Sequence, residues 1–179
     1  DLFDGLSSLV DKNLVHHAER PGSDARFTML ETIREYALER LAASGEEATT
    51  RRAHAAYCLV LAEEGNPELS SAERSLWLSR CDLEIDNFRS ALDWLFANHD
   101  LDWALRLCMA LFRFWDMREH LIEGRAWLET MLRLAGSEYP KERAKLCIFL
   151  GALSTAHGDF PAAERFLEQS LQLYTQLHD

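Results

Sequence analysis

The feature of this sequence that most constrains its fold is an internal repeat, in its second half, with an offset of 39 residues. The matched positions pair Cys108 with Cys147, Leu111 with Leu150, Leu121 with Phe160, Gly124 with Ala163, Leu128 with Leu167, and Leu132 with Leu171. A period of this size is typical of arrays in which each unit buries its apolar side by stacking on a neighbour. The repeat therefore predicts pairs of helices packed side by side.

The second copy indicates how one unit is built. Gly151 and Ala163 are small residues placed where two helices could cross closely, and Phe160 fills the space beside them. Gly158 would turn the chain, and Asp159 would cap the second helix. This pattern resembles the tetratricopeptide repeat, which implies an array of antiparallel helix pairs.

The two copies differ, and a plain helical bundle is the alternative interpretation. Phe112 stands at the position equivalent to Gly151, and Thr175 replaces the proline that is usual in these repeats. The period exceeds the usual length of about 34 residues, which a longer loop around residues 136–140 would explain. The Gly-Asp-Phe turn at residues 158–160 favours the repeat. Because such pairs stack on neighbours, we expect further repeats in a longer parent protein.

The first part of the chain predicts a helix followed by a hairpin. Apolar residues at helical spacing occupy residues 2–10, and two β-prone runs at residues 14–18 and 26–30 flank a turn that contains Pro21 and Gly22. A helix that leads into a hairpin is the back half of a winged helix. A further helix is predicted from Glu31 to Gly45, where glycine suits a helix end.

Three more observations define the helices up to residue 98. One predicted apolar stripe consists of Ile33, Tyr36, Ala37 and Leu41, and the next consists of Ala53, Ala56, Tyr57, Val60 and Leu61. Ser70 and Glu73 have the spacing of a capping box, which begins a further helix. We therefore predict a mainly α chain. Residues 1–45 are assigned to the C-terminal part of a winged-helix domain with its connecting helix, residues 46–98 to a helical linker or bundle, and residues 99–179 to tetratricopeptide-like repeats.

Composition excludes several classes of protein. There is no run of about 20 apolar residues, which a membrane helix needs, and no secretory leader at the first residues. The four cysteines are widely spaced and lack a CxxC pair, so we expect reduced, structural thiols and a cytoplasmic location. With 30 acidic and 19 basic residues the net charge is −11, which makes the chain alone a poor nucleic-acid binder. Residues 101–150 are the exception, with eight bases and seven acids.

No residue pattern predicts catalysis or a metal site. His16 and His17 are adjacent on a predicted strand, so they point to opposite faces and are poorly placed to share an ion. The carboxylates Asp82, Glu84 and Asp86 spread around a helix rather than converge. A glycine-rich phosphate loop ending in Lys-Ser or Lys-Thr is missing from the sequence. We therefore expect a chain that is not an enzyme and that holds no cofactor itself.

Three runs resemble bacterial STAND-type regulators, signal-transduction ATPases that include LuxR-like and AfsR-like transcriptional regulators. They are LVDKNLV at residues 9–15, MLETIREYA at residues 29–37 and EIDNFRSALDW at residues 84–94. The resemblance implies a segment that follows the NTPase module, so that ATP and Mg²⁺ would bind upstream of these residues. It also implies a cytoplasmic sensor that relays effector binding to that module.

In tetratricopeptide arrays the first helix of each pair lines the concave side. Applied to this register, that geometry predicts effector or partner contacts at Arg106, Met109 and Arg113 in the first pair and at Lys145 and Ile148 in the second. Cations beside methionine suit a peptide or an anionic small molecule, although a solvated face of basic residues is an equal alternative.

Three functions remain open from the sequence. The leading hypothesis is a non-catalytic sensor that binds a protein, peptide or small-molecule effector and passes the signal to its own NTPase module. The second is a DNA-binding winged-helix fragment, against which the acidic residues Asp4 and Asp11 argue. The third is a static scaffold for protein–protein interaction. The effector, the target genes and the oligomeric state are not encoded in a recognisable pattern.

Overall fold

The computed structural model describes residues 2–18, 26–65 and 68–177. It divides the chain into two compact units, residues 1–50 and residues 51–179. The first unit contains helix α1 (Leu2–Asp11), strands β1 (His16–Ala18) and β2 (Arg26–Thr28), and helix α2 (Glu31–Ser44). Helix α3 (Glu47–Glu63) begins in this unit and continues into the second.

The hairpin predicted from the sequence is confirmed. Strands β1 and β2 are antiparallel, and His17 stands opposite Phe27, with a ring-centroid separation of 5.2 Å. The Pro-Gly turn predicted between the strands lies outside the described residues. A helix followed by a hairpin agrees with part of a winged helix, and the domain assignment itself stays a prediction.

Helix α2 begins and ends where the sequence predicted, but its apolar side is not part of a core. Gly45 ends the helix in the left-handed conformation, at φ 78°, and its N–H donates to the carbonyl of Ala42. No residue of α2 is buried, and Tyr36 is 61% exposed. The predicted stripe therefore marks the period of the helix, and it is not a buried face. Four apolar residues at helical spacing can specify a helix without deciding what covers it.

The second unit contains five further helices. They are α4 (Ser71–Ala97), α5 (Leu101–Met117), α6 (Leu121–Leu134), α7 (Pro140–His157) and α8 (Phe160–Leu177). The capping box predicted at the start of α4 is confirmed, because the Ser70 hydroxyl accepts from the Glu73 N–H and the Glu73 carboxylate accepts from the Ser70 N–H. Among the described helices, none has the length and apolar character needed to cross a membrane.

The buried face of α3 differs from the predicted one. Tyr57 and Val60 are 51% and 62% exposed, whereas Cys58 and Leu59 are buried. The buried residues of α3 are Ala55, Cys58, Leu59, Leu61 and Ala62, so Leu61 of the predicted stripe is buried and the rest of the buried face is shifted from that stripe. The Trp77 indole N–H donates to the Leu61 carbonyl at 2.9 Å. That carbonyl lies in the last turn of α3, where helices leave acceptors unpaired.

The 39-residue repeat corresponds to two helix pairs. Helices α7 and α8 begin at residues 140 and 160, which is 39 residues after α5 and α6 begin at 101 and 121. Gly151 of α7 lies at the crossing with α8, where an added Cβ would stand 3.5 Å from the Ala163 carbonyl oxygen and 2.8 Å from the Leu167 side chain. The predicted close approach at Gly151 and Ala163 is therefore confirmed.

The two pairs fill the same crossing with different residues. In the first pair, a Cβ on Gly124 would stand 2.7 Å from the Cβ of Trp115. The equivalent positions of the second pair hold Ala163 and Ser154, both buried. The first pair therefore combines a large residue with glycine, and the second pair combines two small residues at the equivalent positions. Both combinations let the helices pack closely.

Equivalent apolar residues on α6 and α8 have different exposure. Leu128 of α6 is fully buried, whereas its counterpart Leu167 on α8 is 46% exposed and Leu171 is 68% exposed. Helix α7 packs against α6, and none of the described helices covers the corresponding face of α8. Of the five tryptophans, Trp77 and Trp115 are buried, and the other three are partly buried against the core.

Candidate partner-binding surface on α5 and α7

Helices α5 and α7 are the first helices of their pairs, and two contacts align them. The Tyr139 hydroxyl, just before α7, donates to the Asp102 carboxylate in the first turn of α5 at 2.6 Å. The rings of Phe112 and Phe149 stack with centroids 3.9 Å apart and planes 4° apart. The two contacts are ten residues apart on both helices, so α5 and α7 run parallel. The bond to Asp102 raises the pKa of Tyr139 to about 12, so the hydroxyl stays a donor at neutral pH.

The five residues predicted to bind a partner lie on these two helices. Arg106, Met109 and Arg113 belong to α5, and Lys145 and Ile148 belong to α7. The stacked Phe112 and Phe149 bring the two helices together beside them. The structure thus places the predicted residues on adjacent helices, and whether they bind a partner stays a prediction.

Arg106 is already engaged within the chain. Its guanidinium donates two hydrogen bonds of 2.9 Å to the carboxylate of Glu63, at the end of α3. This bidentate pair joins α3 to α5, and it leaves the cation less available to a ligand than the sequence suggested. Glu63 was not identified from the sequence, because it lies 43 residues away and no local pattern links the two positions.

The other four predicted residues combine two cations with two apolar side chains. Arg113 is half-buried and forms no ion pair with a described residue. Lys145 is exposed, with its ammonium 5.8 Å from the ring centroid of Phe149. Met109 is half-buried against the core, and Ile148 is 40% exposed. Lys145 beside the Phe149 ring, together with Arg113 and the aliphatic side chains, can accept an acidic and partly apolar partner.

The second helices are joined by charged contacts and, between α4 and α6, by the stacked rings of Phe96 and Trp127. Arg89 of α4 binds Glu123 of α6, and Arg125 of α6 binds Asp159 at the start of α8 at 2.7 Å. Asp159 also accepts from the Ala162 N–H, which confirms its predicted role as a helix cap. These two donors lower the pKa of Asp159, with the larger effect from Arg125. The paired helices are therefore fixed relative to one another on both sides of the array.

The sequence contains two further sets of potentially reactive side chains. They are the four cysteines and the adjacent histidines His16 and His17. All four cysteines are buried and unpaired with one another, and burial raises the pKa of Cys58 and Cys81 to about 12. His16 and His17 lie on β1. In the part of the chain that the structure describes, no group of three potential ligands converges on a metal position.

Comparison with known proteins gives relatives for most of the chain. No protein-family model matches it, and no solved structure matches it. Proteins that carry the name HTH-type transcriptional regulator are similar to it, one from Mycobacterium bovis and others from two strains of Mycobacterium tuberculosis. Each is 38% identical over 149 residues, which is 80% of this chain. The chain matches 17% of the length of each relative, so the similarity concerns one segment of much longer proteins.

Proposed function

We propose that this chain is a regulatory module of a transcriptional regulator and that it binds an effector through α5 and α7. Similarity to proteins named as transcriptional regulators supports the regulatory role. The observation that carries the binding proposal is the parallel alignment of α5 and α7, with Lys145 beside the Phe112–Phe149 stack and with Arg113, which forms no ion pair with a described residue, on the same helix as Phe112. A binding surface of this kind uses no catalytic group, so we propose that the module is not an enzyme.

The finer features of the proposal come from the resemblance to STAND-type regulators. The helix pairs would act as tetratricopeptide-like repeats, and the first unit would be the end of a winged helix next to an upstream NTPase module. ATP and Mg²⁺ would bind to that module. The effector would be a protein, a peptide or a small molecule. It can change the module's state only if its affinity differs between two arrangements of the chain.

The experiment uses the full-length regulator in its own cells. A strain that lacks the protein is complemented with wild type, with the double variant Arg113→Glu and Lys145→Glu, or with Arg40→Glu. Arg40 is an exposed cation on α2 and provides a matched charge reversal outside the surface. RNA sequencing first defines the transcripts that change when the protein is deleted, and these transcripts are the readout.

We expect wild type and Arg40→Glu to restore those transcripts, and the double variant to leave them as in the deletion strain. Protein abundance and the thermal midpoint of the purified variants establish that the substitutions do not act through unfolding. Full restoration by the double variant, at normal abundance, would contradict the binding surface. No transcript change on deletion would contradict the regulatory role.

A further inference from the structure

A second groove lies between α6, α7 and α8, on residues that the proposed function does not use. Its volume is about 440 Å³, and its walls include Arg133 of α6, Arg143 of α7 and Arg165 of α8. The apolar side chains of Leu132 and Phe166 lie between these cations. Three guanidinium groups therefore surround one groove in a chain whose net charge is −11.

The positive charge of the groove is not cancelled by the carboxylate that lines it. Glu129 accepts a 2.8 Å hydrogen bond from Arg125, a fourth cation, which also binds Asp159. Neither Arg133 nor Arg165 forms an ion pair with a described residue. Arg125 is shared between Glu129 and Asp159, so the four arginines and two carboxylates at the groove leave an excess of two positive charges.

Two of the arginines are held in place by contacts that do not neutralise them. Arg143 donates to the carbonyl oxygens of Leu132 and Gly136, where α6 ends. The Arg165 guanidinium lies 5.0 Å from the ring centroid of Phe166, an arrangement in which arginine keeps its charge and its outward N–H donors. Donors that are ordered before binding lose less freedom when a ligand arrives.

We propose that this groove binds a small phosphate-bearing anion with two or more negative charges. Guanidinium groups donate paired hydrogen bonds to phosphate oxygens, and three of them suit a polyphosphate better than a single carboxylate. The volume falls within the range of small-molecule sites, which is roughly 300–1,000 Å³. A nucleic-acid backbone fits less well, because exposed Glu164 and Glu168 on α8 and the net charge of the chain repel an extended polyanion.

The proposal is independent of the surface on α5 and α7, since the two share no residue. Its test is isothermal titration calorimetry of the 179-residue chain at low salt, without divalent ions. The probes are sodium pyrophosphate, ATP, AMP and citrate. The test variant is Arg133→Gln with Arg165→Gln, because neither side chain hydrogen-bonds to a residue that the structure describes. Arg40→Gln is the control, at an exposed position of α2 outside both surfaces. Arg143 is left unchanged because it holds the end of α6.

We expect pyrophosphate and ATP each to bind the Arg40→Gln control as tightly as the wild type. We expect AMP to bind more weakly, and the double variant to lose at least tenfold in affinity for both polyphosphates. Tighter binding of ATP than of pyrophosphate would support contact of a nucleoside with Leu132 and Phe166. Equal binding would support recognition of the phosphates alone. Citrate binding as tightly as pyrophosphate would overturn the phosphate assignment. Absence of binding by the wild type, or unchanged binding by the double variant, would overturn the site.

Discussion

Arg89 on α4 and Glu123 on α6 form a bidentate ion pair in which both nitrogen–oxygen distances are 2.7 Å. The hydrogen bonds from Arg89 lower the pKa of Glu123 against the opposing effect of its partial burial. His120 also lies near this carboxylate, with its Nδ1 3.9 Å away. A carboxyl with a depressed pKa stabilises the fold above its unfolded pKa of about 4.3, and the contribution is lost as the pH falls through the folded value.

The first prediction concerns this acid sensitivity. We expect Glu123→Gln to lower the free energy of unfolding at pH 7 by about 0.5–1 kcal/mol, the range of partly exposed pairs. The deficit should shrink as the pH falls below about 4.3, where the carboxyl of the unfolded chain becomes protonated, and should vanish once the pH is below the lowered pKa of the folded state. Urea denaturation at several pH values measures both effects. Glu164→Gln, at an exposed position of α8, should leave the pH profile unchanged. A constant deficit between pH 7 and pH 3 would show that the ion pair is not its cause.

The second prediction concerns the start of α4. Ser70→Ala removes the hydroxyl that accepts from the Glu73 N–H, so the free energy of unfolding should fall by about 1 kcal/mol, within a range of roughly 0.5–2. Ser75→Ala, four residues into the same helix and exposed, should change it by less than about 0.5 kcal/mol. Equal effects of the two substitutions in urea denaturation would mean that the cap contributes nothing specific.

The third prediction compares one substitution at two helix crossings. The new methyl of Gly124→Ala would meet Trp115 at its Cβ, which cannot move without the backbone. That of Gly151→Ala would meet the end of Leu167, which is 46% exposed and can rotate away. We expect Gly124→Ala to cost about 1–3 kcal/mol, as overpacked sites do, and Gly151→Ala to cost less than about 1 kcal/mol. The reverse order in urea denaturation would contradict the packing described for the first pair.

The fourth prediction concerns the cysteines. Burial raises the pKa of Cys58 and Cys81 to about 12 and raises that of Cys108 and Cys147 as well. Thiolate is the reactive form, so a chromogenic disulfide reagent at pH 8 should label the native chain at less than about a tenth of the rate for the chain in guanidinium chloride. The denatured chain should then release four equivalents, one for each cysteine. Rapid labelling of the native chain would contradict their burial.

Local signals in the sequence were sufficient to predict where several helices begin or end. Ser70 and Glu73 satisfy one another across three residues, and Gly45 and Gly158 adopt left-handed conformations at helix ends. Each of these features depends on backbone groups within one turn, so the residue types alone identify them. The crossing at Gly151 was also predictable, because the second copy places small residues at 151 and 163 on either side of the Gly-Asp-Phe turn at residues 158–160.

Features that depend on distant residues were not predictable in the same way. The predicted stripe on α3 included Tyr57 and Val60, which are exposed, whereas Cys58 and Leu59 are buried, because distant helices decide which face of α3 is covered. Arg106 was expected to face a ligand, and its pairing with Glu63 is decided by how α3 lies against α5. The groove between α6, α7 and α8 is lined by Arg133, Arg143 and Arg165. Their spacing follows no helical or strand period, so the sequence did not predict that they lie together.

The alignment of α5 with α7 has a consequence for how a ligand would lie on them. Equivalent residues are 39 positions apart in the sequence, but Asp102 meets Tyr139 and Phe112 meets Phe149, so spatial neighbours are 37 positions apart. At a rise of 1.5 Å per residue, the two-residue difference displaces equivalent side chains by about 3 Å along the helix axis. An extended peptide that contacted equivalent residues on α5 and α7 would therefore cross the two helices obliquely.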